Sequence, residues 1–148
     1  METKENANAG FTDEEKKAMA ERSKELASIR KRSARPKIED LEKEVFRKIS
    51  EMNEPDRTIA TNIHALIKRI APNLTPRTWY GMPAYEKDES IICFFQERGK
   101  FKTRYATIGF SDKAHLDDGA LWPTAFALPE WNEEVDERLR ELIKKAIS

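Results

Sequence analysis

Apolar residues recur along this chain with two different periods, and the change between them divides it into elements. After Lys37, the residues Ile38, Leu41, Val45, Ile49 and Met52 recur at steps of three, four, four and three. That spacing puts them on one helical face. Asn53-Glu54-Pro55 interrupts the pattern, and Pro55 suits the first turn of a new helix. Ile59, Ile63, Leu66, Ile67 and Ile70 supply its buried face, and Pro72 ends it. The two helices are expected as an antiparallel pair joined by a tight turn. IICFFQ (91–96) is apolar without alternation and predicts a strand covered on both faces. Arg98-Gly99 predicts a hairpin turn into a second strand, KFKTRYATIGF. There Ala106, Ile108 and Phe110 would share one face, and Phe101, Thr103, Tyr105 and Thr107 the other. LWPTAFAL adds a short strand that Pro123 confines to an edge or a bulge.

The closing segment predicts a helix with Asn132 as N-cap, acids in its first turn and Lys144 and Lys145 in its last. Val135, Leu139, Leu142, Ile143 and Ala146 form its apolar stripe. Helices, then an antiparallel sheet, then a helix imply an α+β fold, a two-layer sandwich with helices packed on the sheet.

Ahead of Lys37 the apolar pattern thins out. Thr12 and Glu15 have the spacing of a capping box. Met19, Leu26 and Ile29 make only a narrow stripe, so the helix needs an outside partner or a groove on the main domain. RKRSARPK reads as its end and a linker. The chain therefore divides into a charged helical extension and linker, 1–37, and a domain, 38–148. The extension is expected to be dispensable for folding and able to meet a protein partner.

At 148 residues the chain fits one domain. Lys and Arg number 27, as do Asp and Glu, so no net charge draws it to nucleic acid or anionic membrane. No apolar run reaches the roughly 20 residues of a membrane span. A single cysteine, Cys93, and a start (METKENANAG) without the apolar core of a signal peptide make the cytoplasm the expected location.

Reactive side chains are few. Cys93 lies within IICFF, where a thiol serves as a small hydrophobe. His64 falls at the edge of a helical apolar stripe and His115 in a loop, so no nucleophile and base converge. His115-Leu116-Asp117-Asp118 offers metal-type ligands, but Asp118-Gly119 reads more simply as a turn. The acids Glu39, Asp40, Glu42 and Glu44 alternate with Lys43, Arg47 and Lys48 at the spacing of surface ion pairs. Arg30, Lys31, Arg32, Arg35 and Lys37 form a basic cluster without the aromatics that stack on bases. No enzyme, cofactor or metal is expected.

The remaining candidate is TWYGMPAY (78–85). Gly81 permits a backbone turn, Pro83 fixes φ after it, and Trp79, Tyr80, Met82 and Tyr85 crowd around. Such residues combine apolar faces with polar tips, as binding pockets require. Lys100, Lys102 and Arg104, alternating beside Tyr105 on the expected strand, would add positive charge. The candidate binding residues are thus Trp79, Tyr80, Gly81, Met82, Pro83, Tyr85, Lys102, Arg104 and Tyr105. The competing reading is that the aromatics simply close one end of the core.

The hexamer Tyr80-Gly81-Met82-Pro83-Ala84-Tyr85, followed by the IICFF strand and a Leu/Ile-striped last helix, resembles the YdhG-like family, domain of unknown function 1801. The resemblance covers roughly residues 40 to 147. It implies a frataxin-like sandwich of helices on an antiparallel sheet. Some members of that family are described as intracellular iron chaperones by analogy with frataxin; frataxin-type iron binding relies on an acidic ridge, whereas here the helical acids are interleaved with bases. The expected function is non-enzymatic binding of a small ligand or peptide at the aromatic corner. The alternatives are a weak iron-binding chaperone and an interaction module acting through the N-terminal helix.

Overall fold

A computed structural model describes residues 12–31 and 37–148; residues 1–11 and most of the expected linker lie outside it. Helix α1 (Asp13–Lys31) precedes α2 (Ile38–Ser50) and α3 (Asp56–Ile70). Strands β1 (Thr75–Trp79), β2 (Met82–Lys87) and β3 (Ser90–Gln96) follow, then a one-turn helix α4 (Arg98–Phe101). Strands β4 (Ala106–Phe110) and β5 (Ala125–Leu128) and helix α5 (Glu133–Ala146) complete the fold. The sheet is a five-stranded antiparallel meander in the order β1-β2-β3-β4-β5. This is the α+β sandwich that the periodicities imply.

The faces of α2, α3 and α5 are those expected, with one exception. Val45, Ile49 and Met52 of the α2 stripe are buried, whereas Ile38, at the helix start, is 60% exposed. From α3, Ile59, Ile63, Leu66 and Ile67 enter the core; from α5, Leu139, Ile143 and Ala146 do. They meet Tyr85, Cys93, Phe95, Ile108 and Phe110 from the inner face of the sheet. Both expected caps form: Thr12 and Glu15 bond each other's backbone N–H at 3.1 and 3.0 Å, and Asn132 Oδ1 accepts from Val135 N–H at 2.9 Å.

The sheet contains one hairpin that the periodicity does not predict, and one expectation about the strands is corrected. The stretch TWYGMPAY is a β-hairpin, with β1 ending at Trp79 and β2 beginning at Met82. Its loop is Tyr80-Gly81, with φ of +51° and +75°, the pair of positive values that a two-residue primed turn requires. Pro76 and Pro83 obscure both strands in the sequence. The sheet tolerates Pro76 because β1 is an edge strand. Pro83 precedes Ala84, the first β2 residue paired with β3, so it too has a strand on one side only.

Arg98-Gly99 is no hairpin turn. Gly99 N–H donates to Asp56 Oδ2 at 3.0 Å, which draws the segment toward the start of α3 and into a helical turn. Lys102 then takes a left-handed conformation, φ +54°, and the strand starts only at Ala106. Phe101, Thr103 and Tyr105 therefore share no strand face, and Lys100, Lys102 and Arg104 do not alternate along one.

Candidate functional site

The hairpin separates its own residues onto two faces of the sheet, because side chains alternate along a strand and cross-strand partners share a side. Trp79 pairs with Met82 and Ala84 with Phe94, so these four point to the outer face. Thr78, Pro83 and Tyr85 point inward, toward the helices. The nine expected site residues therefore do not form one groove.

On the outer face the rings of Trp79 and Phe94 lie 5.2 Å apart, and Tyr80 meets Trp79 edge-on at 5.1 Å. Trp79 and Phe94 are half-buried and Tyr80 is exposed. Phe94 lies across Gly109, where even a methyl group would collide with its ring at 2.3 Å. Arg77 and Glu86 pair at 2.9 Å on the same face. Ala84, between the rings, is fully buried. Met82, expected as a groove-lining residue, is instead 8% exposed and packed away.

Tyr85 is also corrected, from ligand contact to core residue. It is 1% exposed, and its hydroxyl lies 2.8 Å from His64 Nδ1. His64 Nε2 lies 2.8 Å from Glu42 Oε2, which also takes Lys68 at 2.7 Å. The Lys68 hydrogen bond, joined by the one from His64, holds Glu42 below the usual carboxylate range despite some burial. An ionised Glu42 only accepts, so the neutral His64 ring carries its proton on Nε2 and accepts a hydrogen bond from the Tyr85 hydroxyl at Nδ1. Burial lowers the His64 pKa, although Glu42 opposes this. Burial likewise raises Tyr85 well above its ordinary value and pushes Cys93 up to about 12. These groups have the residue types of a proton relay, but the phenol and the thiol are sealed in the core. They join α2 and α3 to the sheet.

The other end of the hairpin is covered by α1. Glu25 Oε1 accepts from Gly81 N–H at 3.1 Å. Glu21 takes Lys48 on Oε2 at 2.6 Å and Lys100 on Oε1 at 2.8 Å. Burial works against its charge, yet the two lysines outweigh it and keep Glu21 below the usual carboxylate range. Glu14 pairs with Lys102 at 2.7 Å, and the Arg22 guanidinium lies 5.8 Å from the Tyr80 ring centre. The stripe of Met19 and Leu26 does not make the contact: Ala18 is the buried apolar residue, and Leu26 is 37% exposed. The side chain of Ile29 is outside the described set. Lys102 thus belongs to the α1 contact, while Arg104 is exposed above the ring of its neighbour Tyr105 at 5.3 Å.

Beneath α1 lies a polar cleft of about 300 Å³ lined by Glu21, Lys48, Glu51, Asn53, Glu97, Gly99 and Lys100. Burial, with the charges of Asp56 and Glu21, raises Glu97 to about 6, although Lys100 and Lys48 oppose it. Asp56 is 1% exposed, and its Oδ1 has no hydrogen-bond partner. Among the described residues, no three of His, Cys, Asp and Glu gather as a metal would require, and no helix is long and apolar enough to cross a membrane. His115 is exposed and bonds the Ser148 carbonyl at 2.8 Å.

Sequence reasoning missed Phe94 as an outer-face residue, and it missed Glu21, Glu25, Lys48 and Lys100 as a cluster. Glu21 and Lys100 are 79 positions apart, so no local spacing signals the pair. The Tyr80-Gly81 turn sets only the β1–β2 register; the β2–β3 pairing that turns Phe94 outward follows from the second turn, at Asp88-Glu89, and from the irregularity at Tyr85-Glu86. No family model, curated protein or solved structure matches this chain.

Proposed function

We propose that this chain is a non-enzymatic binding protein whose outer sheet face, at the hairpin, takes an extended peptide or a flat small ligand. The aromatic row of Tyr80, Trp79 and Phe94 carries this reading: three part-exposed rings in successive contact at the hairpin. Rings of this kind supply large contact area at low entropic cost. Arg77 and Glu86 beside them offer a polar rim. The relation to the YdhG-like family belongs to the same reading, supported by the Tyr80-Gly81-Met82-Pro83-Ala84-Tyr85 hexamer and the order of elements.

A displayed-peptide library selected on the chain tests this. Enriched peptides should lose binding when Trp79→Ala and Phe94→Ala are combined. They should keep it with Leu121→Ala, which removes a side chain 90% exposed elsewhere. Peptides indifferent to the double substitution would refute the reading.

A further inference from the structure

Helix α1 occupies its seat in the manner of a ligand. Its contacts fall at Glu14, Ala18, Glu21 and Glu25, a single helical face on which three carboxylates flank one small buried residue. The receiving surface comes from four separate places: Lys48 near the end of α2, the Gly81 turn, Lys100 in α4 and Lys102 after it. The fit at Gly81 is close, since a Cβ there would lie 2.2 Å from both Glu21 Oε2 and Lys100 Nζ. Yet among the described residues α1 buries only one apolar side chain, Ala18, and it stands outside the main core cluster.

The resident helix is also an imperfect occupant. Arg22 and Glu25 approach each other only to 3.9 Å, and Arg22 Nη1 and Glu25 Oε2 are both buried without a hydrogen-bond partner. Unsatisfied buried polar atoms weaken an interface. The ion pairs that remain are part-exposed, so each contributes little and salt screens it. A helix with the same acidic face whose neighbouring residues satisfied the oxygen equivalent to Glu25 Oε2 would bind more strongly.

We infer that the seat formed by Lys48, Gly81, Lys100 and Lys102 is a docking site for an acidic helix of a partner protein, and that α1 is a built-in competitor for it. Charge complementarity identifies the partner: two ammonium groups bracket one carboxylate, a backbone N–H takes a second one turn later, and Lys102 takes a third about two turns earlier. A second copy of this chain is disfavoured, because its α1 carries the same flaw and must displace a helix held at high effective concentration. This site meets the aromatic row only at the Tyr80-Gly81 turn, and Lys48 and Lys100 lie apart from Trp79 and Phe94, so the substitutions that test the two readings fall on different residues.

The test uses the full chain and fluorescent peptides. One peptide has the sequence of residues 12–31, a second carries Arg22→Leu, and a third has Glu14, Glu21 and Glu25 changed to Lys. In the chain, Glu21→Lys with Glu25→Lys releases the resident helix. The natural peptide should bind this variant about tenfold more tightly than it binds the unaltered chain. The Arg22→Leu peptide, which loses the guanidinium beside Tyr80 and leaves Glu25 Oε2 unpaired, should bind no more tightly than the natural one, and Lys48→Glu with Lys100→Glu should abolish both. Equal binding of the charge-reversed peptide, or no gain on releasing α1, would overturn the inference. So would displacement by inorganic phosphate at constant ionic strength, which would mark a small-anion site. Amide exchange in the unaltered chain gives a check that needs no variant. Raising NaCl from about 0.05 to about 0.5 M should expose α1 amides but not those of β3. An α1 as protected as β3 in both conditions would also overturn it.

Discussion

Glu25 and Gly81, 56 positions apart, share a 3.1 Å hydrogen bond that ties the N-terminal helix to the tip of the first hairpin. The donor is a backbone N–H, so the bond depends on the turn's conformation and not on a side chain at position 81. That makes the glycine accountable for two things at once: φ of +75°, and room for Glu21 and Lys100.

Gly81→Ala should therefore do more than strain a turn. The left-handed conformation alone costs an L-residue roughly 1–2 kcal/mol. Gly119 provides the comparison, with φ +68° and no atom within 4 Å of an added Cβ. Both alanine variants should lose similar stability in urea unfolding, but only Gly81→Ala should raise amide exchange in α1. Equal exchange in the two would mean that the Glu21 and Lys100 side chains simply step aside.

Much of the fold was legible because helix burial follows local periodicity. The stripes of α3 and α5 and the caps at Thr12 and Asn132 depend on residues within one or two turns of each other. Strands β1 and β2 were hidden by Pro76 and Pro83, which the sheet tolerates only because of where its edges fall. The 98–105 stretch misled for a similar reason: its alternation is strand-like, but the bond from Gly99 to Asp56 bends it into a helical turn. The aromatic corner was legible as a feature and illegible as a site. Which way each residue faces depends on register, and register places Tyr85 inside and Phe94 outside.

Met82 separates the two readings of that corner by its stability. At 8% exposure it resembles Ile92, at 5%, far more than a groove-lining residue. Met82→Ala and Ile92→Ala should each cost about 2–5 kcal/mol. Tyr80→Ala, at an exposed turn position, should cost well under half of that. A Met82→Ala chain as stable as the original would restore Met82 to the binding surface.

The bond between Tyr85 and His64 makes a different demand. Tyr85→Phe removes one hydroxyl and leaves His64 Nδ1 buried without its donor. The expected cost is about 1–3 kcal/mol, the penalty for an unsatisfied buried polar atom. His64 should then be more easily protonated, since the freed nitrogen has lost the partner that required it to be neutral. The original chain's own pH dependence has a definite sign here. The folded His64 pKa is lowered by burial, so its contribution is present above the ordinary value of 6.5 and lost as pH falls through the folded one. Histidine NMR shifts followed through a pH titration read this directly. A Tyr85→Phe chain with unchanged stability and an unchanged His64 titration would remove the hydroxyl from the account.

Glu97 acts in the opposite direction. Groups from four elements face it: Glu21 on α1, Lys48 on α2, Asp56 on α3 and Lys100 on α4. Burial dominates, Asp56 and Glu21 add to it, and the lysines offset only part, so the folded pKa rises from 4.5 to about 6. A raised value means that the folded state holds the proton more tightly than the unfolded chain does. The Glu97 contribution is accordingly full below 4.5 and is lost as pH climbs through about 6. Glu21 and Glu42, whose values are lowered, contribute above 4.5 and lose that contribution as pH falls. Glu97→Gln should match the original chain in stability near pH 4.5, because a protonated glutamate and a glutamine present similar neutral groups. At about pH 7 the variant should be more stable by roughly 1 kcal/mol, a figure discounted because water reaches part of the side chain. Urea unfolding across this range checks both ends. If the variant is less stable at neutral pH, the attraction of Lys48 and Lys100 outweighs burial, and Glu97 belongs with Glu21 among the carboxylates that the lysines hold charged.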